Sequence, residues 1–333
     1  MNILIVRLSA LGDIVHAIPA AAALRRAFPD ARIDWLVEAR HRDILDLVTV
    51  LDRLVIVRHS TVGGWTRVLR ELRDAPYDVA LDFQGLTKSA VLARGSGATR
   101  VLGFSLRHLR EKSARPFYTG AADAEGGHAI RKNLRLLRTI GINDDRIEFP
   151  LAPVDSAALT TVRTAIGDAP FALINPGAAW PNKRWPAQRY GALAASIREQ
   201  QGLVPVVMWG PGEQELAEAV VAAASRAAVL APSTTVRDLV AICRAAALFV
   251  AGDTGPLHIA AAVGTPAVGL FGPTDPSRNG PFSADDVVVS RADLCGCHID
   301  RRCRQPHWCL EDIGVAEVAT AVQRRLAVRS TRA

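Results

Sequence analysis

Asp13 lies in the stretch Arg7-Leu8-Ser9-Ala10-Leu11-Gly12-Asp13-Ile14, where a glycine permits a tight turn and the aspartate falls near a helix start. A carboxylate there can cap the helix or can take a proton from a substrate hydroxyl, and Gly-Asp turns are too common for this loop alone to decide. The loop from Asn175 to Pro186 is less ordinary. Lys183 and Arg184 offer a point charge and a fork of donors to a phosphate, and Trp180 and Trp185 could pack beside a sugar or a base. The plainer alternative is two solvated cations and two tryptophans in an interdomain contact. The third stretch, Ala251-Gly252-Asp253-Thr254-Gly255-Pro256-Leu257-His258, ends a strand, turns tightly and opens an apolar helix with Pro256 in its first turn. The amides of Thr254 and Gly255, at the positive end of the helix dipole, make a pyrophosphate site, and Asp253 could accept sugar hydroxyls. Capping needs neither His258 nor the Phe271-Gly272-Pro273-Thr274-Asp275-Pro276 loop that follows, so a ligand site is favoured here.

The elements that must position these loops alternate strand and helix. Ile3 to Val6, Ile33 to Val37 and Val79 to Phe83 read as strands, an Ala-rich helical segment carries Ile14, Ile18, Ala21 and Phe28, and His128 to Ile140 reads as a helix. Around Phe149-Pro150-Leu151-Ala152-Pro153 the rhythm lapses, then restarts with strands at Phe171 to Ile174, Val204 to Met208, Leu248 to Ala251 and Ala267 to Phe271. Helices are expected from about Glu213, over Val236 to Ala245, and from about Val315 to Val328. The expectation is α/β, two Rossmann-like doubly wound domains over residues 1–155 and 156–333, with the last helix returning to the N-terminal domain. In open parallel sheets, ligands bind outside the carboxyl ends of the strands, where all three loops fall.

A chain of 333 residues exceeds what one core usually serves, and 49% hydrophobic with 22% charged residues is a globular composition. The formal charge of +7 favours anionic partners without choosing among nucleic acid, membrane surface and acidic small molecule. Charged residues interrupt every apolar run before the roughly 20 residues a spanning helix needs, and the apolar start is too short for a signal peptide. A Walker motif, a paired His-Glu metal motif and a Gly-x-Gly-x-x-Gly after the first strand are all missing, so nicotinamide chemistry lacks its fingerprint. Helix amides plus one lysine, with no evident carboxylate cluster, point to a leaving group stabilised by the protein without a divalent ion.

Ile-Val-Arg-Leu-Ser-Ala-Leu-Gly-Asp-Ile-Val-His-Ala-Ile-Pro (5–19) resembles the opening motif of the bacterial lipopolysaccharide heptosyltransferases. Lys183-Arg184-Trp185-Pro186, the 252–258 stretch and the 271–276 loop look like that family's C-terminal motifs, in the same order. Asp82 to Ala90 and Arg110 to Tyr118 look most like its heptosyltransferase I branch. The resemblance implies a GT-B fold with two domains facing across a cleft, ADP-L-glycero-D-manno-heptose as donor, and a Kdo-bearing lipid A acceptor at the cytoplasmic face of the inner membrane. It implies that Asp13 is the general base, that Lys183 contacts the donor phosphates, and that Asp253, Thr254, Gly255 and His258 hold heptose and pyrophosphate. Glu213 looks like the carboxylate that binds the nucleotide ribose, with Glu215 as the alternative. Ala178 and Ala179 stand where such enzymes commonly carry hydroxyls, leaving only backbone groups there.

Arg107, Arg110, Lys112 and Arg115 are candidates for the acceptor's phosphates or carboxylates, against the alternative of a solvated basic face. Cys295, Cys297, Cys303 and Cys309, interleaved with His298 and His307, fit no standard Cys-x2-Cys zinc spacing and are read as reduced thiols, with no metal and no other cofactor expected. Two rivals stand beside the transferase reading. One is a sugar-nucleotide epimerase of similar fold. The other is a basic zinc-containing nucleic-acid-binding protein, which leaves Gly12-Asp13 and the 252–258 turn without purpose.

Overall fold

The aliphatic run Asn2–Val6 is long enough for one strand, and in a computed structural model it forms β1, a central strand of a parallel sheet. The structure describes residues 1–58, 62–74, 76–124, 127–297, 300, 303 and 305–330. The chain divides into two compact units, Met1–Ala152 and Pro153–Ala333.

In the first unit β1 is followed by β2 (Arg32–Glu38), β3 (Arg53–Val57), β4 (Val79–Asp82), β5 (Arg100–Phe104) and β6 (Gly120–Ala122). Their order is β3-β2-β1-β4-β5-β6 and every neighbouring pair is parallel. Register places Ile3 opposite Ile33 on one side and Val79 on the other. The inner strands are buried along nearly their whole length, as a parallel sheet flanked by helices requires. Leu4, Val6, Leu36, Val55, Ala80 and Val101 pack with Tyr77 and Tyr118 in this unit's core.

The second unit contains β7 (Phe171–Asn175), β8 (Val204–Val207), β9 (Val229–Leu230), β10 (Leu248–Gly252), β11 (Ala267–Phe271) and β12 (Val287–Ser290), in the order β12-β11-β10-β7-β8-β9, again all parallel. Counted within each unit, both sheets run third, second, first, fourth, fifth, sixth. The order reverses between the first and fourth strands, and the loops leaving those strands flank the crevice where such sheets bind ligands. Those strands are β1 and β4 in one unit, β7 and β10 in the other. Ile174, Val207, Leu248, Val250 and Leu270 build the second core with Trp185 and Tyr190. The final helix, Val315–Ser330, seats Val318, Ala321 and Val322 in the core of the second unit.

Two helices expected as single pieces are divided. After β1 the chain forms Leu11–Val15 and then Ile18–Ala27, because Pro19 has no amide to give and its ring would meet the carbonyl of Val15 in a continuous helix. The helix opened by His128 covers Ala129–Leu136, with the His128 ring accepting from the Ile130 amide at 3.2 Å, and it tightens into a 3-10 turn over Leu137–Ile140.

Candidate functional site

The loop after β7 is fixed by close backbone approaches. A side chain on Gly177 would place its Cβ 1.9 Å from Glu213 Oε2, so this glycine is what lets the Glu213 carboxylate pack against the loop. The Gly210 amide donates to Glu213 Oε2 at 3.2 Å, and the Arg184 guanidinium lies 3.5 Å from Oε1 while its Nε donates to the Ala178 carbonyl at 2.9 Å. Glu213 sits just before the helix Gln214–Ala223, whereas Glu215 is exposed within its first turn. Of the two carboxylates, it is Glu213 that the loop holds.

A 3-10 turn, Pro181–Lys183, carries Lys183 toward β10. Its Nζ lies 2.5 Å from Asp253 Oδ2 and 4.4 Å from the centroid of the Trp180 ring. Gly252 makes this possible, since a Cβ there would stand 2.7 Å from the Lys183 carbonyl oxygen. The other Asp253 oxygen is 3.3 Å from His258 Nε2, so both oxygens are engaged by side chains. Burial opposes ionisation of Asp253, yet the His258 hydrogen bond and the adjacent Lys183 charge outweigh it and hold the carboxyl well below the usual carboxylate range.

Capping does not account for this turn. Thr254 is the N-cap of the helix Gly255–Ala262 but makes no side-chain cap bond, and Asp253 spends its oxygens on Lys183 and His258. Thr254 Oγ1 is buried without a partner, as is Thr274 Oγ1 in the loop after β11. Buried hydroxyls without partners are uncommon, and that of Thr254 stands at a helix N-terminus directly after Asp253, the partner of Lys183. Thr274 belonged to a recognised motif, but nothing in the sequence singled out its hydroxyl. Trp185 corrects an expectation: it is 1% exposed, donates its indole N–H to the Ile313 carbonyl at 3.0 Å and packs edge-on against Tyr190, so it serves the core and not a sugar.

In the first unit Asp13 occupies the third position of the helix Leu11–Val15. Its Oδ2 accepts weakly from the Ala10 amide at 3.4 Å and pairs with Arg7 Nη2 at 2.7 Å. Arg7 is 11% exposed against 38% for Asp13, so the guanidinium is the buried support and the carboxylate the accessible group. Arg7 Nη1 donates to the Phe83 carbonyl after β4, and Gln84 Oε1 accepts from the Leu8 amide at 2.7 Å, tying the β1 loop to the β4 loop. Arg7 was not among the sequence-derived candidates. The signal was a cation placed directly after a wholly apolar strand, where burial demands a partner.

Arg107, Arg110 and Lys112 are exposed after β5 and form no salt bridge within 4 Å among the described residues; Arg115 is half-buried and donates to the Tyr118 carbonyl. Their segment is anchored by Glu111, whose carboxylate accepts from the Thr87 amide and hydroxyl at 2.8 Å each. All four follow the same carboxyl-terminal edge of the sheet as Asp13.

Residues 65–309 match glycosyltransferase family 9 (heptosyltransferase). The chain belongs to this family. It is 31% identical to lipopolysaccharide heptosyltransferase 1 of Pseudomonas aeruginosa over 91% of this chain and 87% of that one. It is 26% identical to lipopolysaccharide heptosyltransferase 1 of Escherichia coli K12 over 86% and 93%. Among solved structures, a family 9 glycosyltransferase from Veillonella parvula superposes with a TM-score of 0.83 at 23% identity, covering 98% of this chain and 97% of that one. The E. coli heptosyltransferase WaaC with ADP superposes with a TM-score of 0.78 at 23% identity, covering 98% and 100%. The fold is the GT-B fold and the chain is a glycosyltransferase, most similar in sequence to the heptosyltransferase I branch. The epimerase and nucleic-acid readings give way to it.

Proposed function

We propose that this family 9 glycosyltransferase transfers heptose from ADP-L-glycero-D-manno-heptose to a Kdo-bearing lipid A precursor in lipopolysaccharide core assembly, with inversion at the anomeric carbon. The observation that carries the donor assignment is the Lys183–Asp253–His258 group past the ends of β7 and β10, with the unpartnered hydroxyl of Thr254 directly after Asp253 and that of Thr274 in the loop after the neighbouring β11. The names of its relatives, lipopolysaccharide heptosyltransferases, supply the sugar and the acceptor class.

In the proposed step Asp13 takes the proton of the acceptor hydroxyl as its oxygen bonds to the anomeric carbon, and the bond from that carbon to the pyrophosphate breaks with release of ADP. Arg7 keeps the Asp13 carboxylate in one orientation. Lys183 and the amides of Thr254 and Gly255 offset the charge gathering on the leaving diphosphate, an electrostatic task that asks for no divalent ion. Asp253 and His258 orient Lys183 and face the sugar, and Glu213 takes the ribose hydroxyls. Arg107, Arg110, Lys112 and Arg115 meet the anionic acceptor and hold the enzyme peripherally at the inner membrane's cytoplasmic face. Among the described residues no helix is long and apolar enough to cross a membrane.

The test is a transfer assay with purified protein, Kdo-lipid A and a panel of ADP-, UDP- and GDP-linked sugars, with EDTA present. Transfer from ADP-heptose alone is expected, and transfer only from another donor would overturn the assignment. The Asp13→Asn variant should bind ADP normally and lose about 10²–10⁴-fold in kcat. Near-normal turnover by that variant would remove Asp13 from the role of base.

A further inference from the structure

Cys295, Cys297, Cys303 and Cys309 converge even though their spacing matches no usual zinc pair. The sulfurs of Cys295 and Cys297 are 3.1 Å apart, and both residues are nearly buried. Cys295 also reaches Cys309 and Cys297 reaches Cys303, so the four sulfurs are joined in one run of side-chain contacts. Cys243 is elsewhere, buried in the helix Val236–Ala245. His307 is taken by Glu311 and Asp312 at 2.9 and 2.8 Å, and His298 lies outside the described residues.

Four thiols gain little from one another, because S–H is a weak donor and sulfur a weak acceptor. Four sulfurs joined in this way are well suited to surrounding a thiophilic cation: zinc takes four thiolates at about 2.3 Å in a tetrahedron. Sulfurs of such a tetrahedron lie about 3.8 Å apart. The 3.1 Å pair would therefore open by roughly 0.7 Å on binding. Among the described residues no group of three or more His, Cys, Asp or Glu side chains is already arranged to hold an ion, so the site requires this rearrangement. A disulfide from Cys295 to Cys297 would close across Gly296 alone and give Cys303 and Cys309 no part.

The surroundings suggest what an ion would do. The Asn182 side-chain amide donates to the Asp300 carbonyl at 2.9 Å and points at the Cys297 sulfur from 3.8 Å, the kind of N–H contact that steadies a metal-bound thiolate. Asn182 directly precedes Lys183. On the other side, a Cβ on Gly272 would stand 2.9 Å from the Cys309 sulfur, so the loop carrying Thr274 also rests on the cluster. We infer that Cys295, Cys297, Cys303 and Cys309 form a tetrathiolate site for one zinc-class ion, which clamps the segment after β12 onto the loops bearing Lys183 and Thr274. With four protein ligands the ion is structural and takes no part in the transfer step. The link to Lys183 rests on the donor assignment above, while the metal site does not.

The full chain, purified under reducing conditions without chelator, should carry about one zinc or iron ion per molecule, and cobalt(II) substitution should give the intense thiolate-to-metal absorption of a tetrahedral site. Cys303→Ser and Cys309→Ser should each lose the ion, and should weaken ADP binding roughly tenfold as the Lys183 loop loosens. Less than a tenth of an ion per chain with five titratable thiols would overturn the proposal, as would four of the cysteines found in two disulfides. A variant that fails to fold leaves the wild-type metal content as the deciding measurement. Bound metal in an enzyme inactive toward ADP-heptose would sink the donor assignment alone.

Discussion

Arg7 is a cation at the foot of a buried strand, and its two ends do different work: Nη1 is fixed by the Phe83 carbonyl and Nη2 holds Asp13. A positioned carboxylate is worth more to a proton transfer than a free one, since small misplacements of reacting groups cost large factors in rate. Arg7→Met should accordingly lower kcat by about tenfold or more with the donor KM nearly unchanged, and Arg7→Lys, which cannot span both partners, should recover only part of it. A rise in KM with kcat intact would assign Arg7 to binding instead. Asp253 has a pH signature of its own. Because its folded-state pKa is held below the ordinary 3.8, its contribution to stability is complete above that value and is lost as pH falls through and below it. The Tm advantage of the wild type over Asp253→Asn should therefore be constant near neutrality and shrink progressively as pH falls below about 4. An advantage that did not change with pH would mean that the ionised carboxylate is not what stabilises the turn.

At the level of elements, the site is made by loops that approach each other through glycine. Gly252→Ala would drive a methyl group into the Lys183 carbonyl, a backbone atom that cannot swing aside as a side chain would. The expected result is a donor KM raised by about tenfold or more at a stability cost of roughly 1–3 kcal/mol, read by steady-state kinetics beside thermal melting. The strands and the helices were legible from their apolar patterns: Val236–Ala245 keeps apolar residues at helical spacing among its charges, and Ala267–Phe271 ends where its apolar run ends. The charge of Lys183 and the turn at Asp253 were legible for the same reason, as polar residues placed just past buried strands. Trp185 misled because aromatic composition does not tell core from cleft, and only the Ile313 carbonyl, 128 residues away, gives its indole a buried partner. Arg7 depends on a contact of that long-range kind, with the Phe83 carbonyl, whereas the unpartnered Thr274 hydroxyl and the meeting of the four cysteines depend on how their loops turn back on themselves, which spacing along the chain does not encode.

Across the whole molecule, each unit has its own sheet and its own core. Calorimetry should resolve two transitions, and ADP at about 100 times its Kd should add roughly 2.7 kcal/mol to the unit it binds. Only the transition of Pro153–Ala333 should move, and an equal shift of both would show that the nucleotide reports on the entire chain. Both sheets run in one strand order, with Asp13 following the first strand of its sheet and Lys183 the first strand of the other. On the assignments made here, that arrangement gives the two substrates separate inheritance. Loops after β1, β4 and β5 can drift toward a new acceptor while the donor half stays under its own selection, so chimeras that exchange halves between family members should trade acceptor preference and keep the sugar.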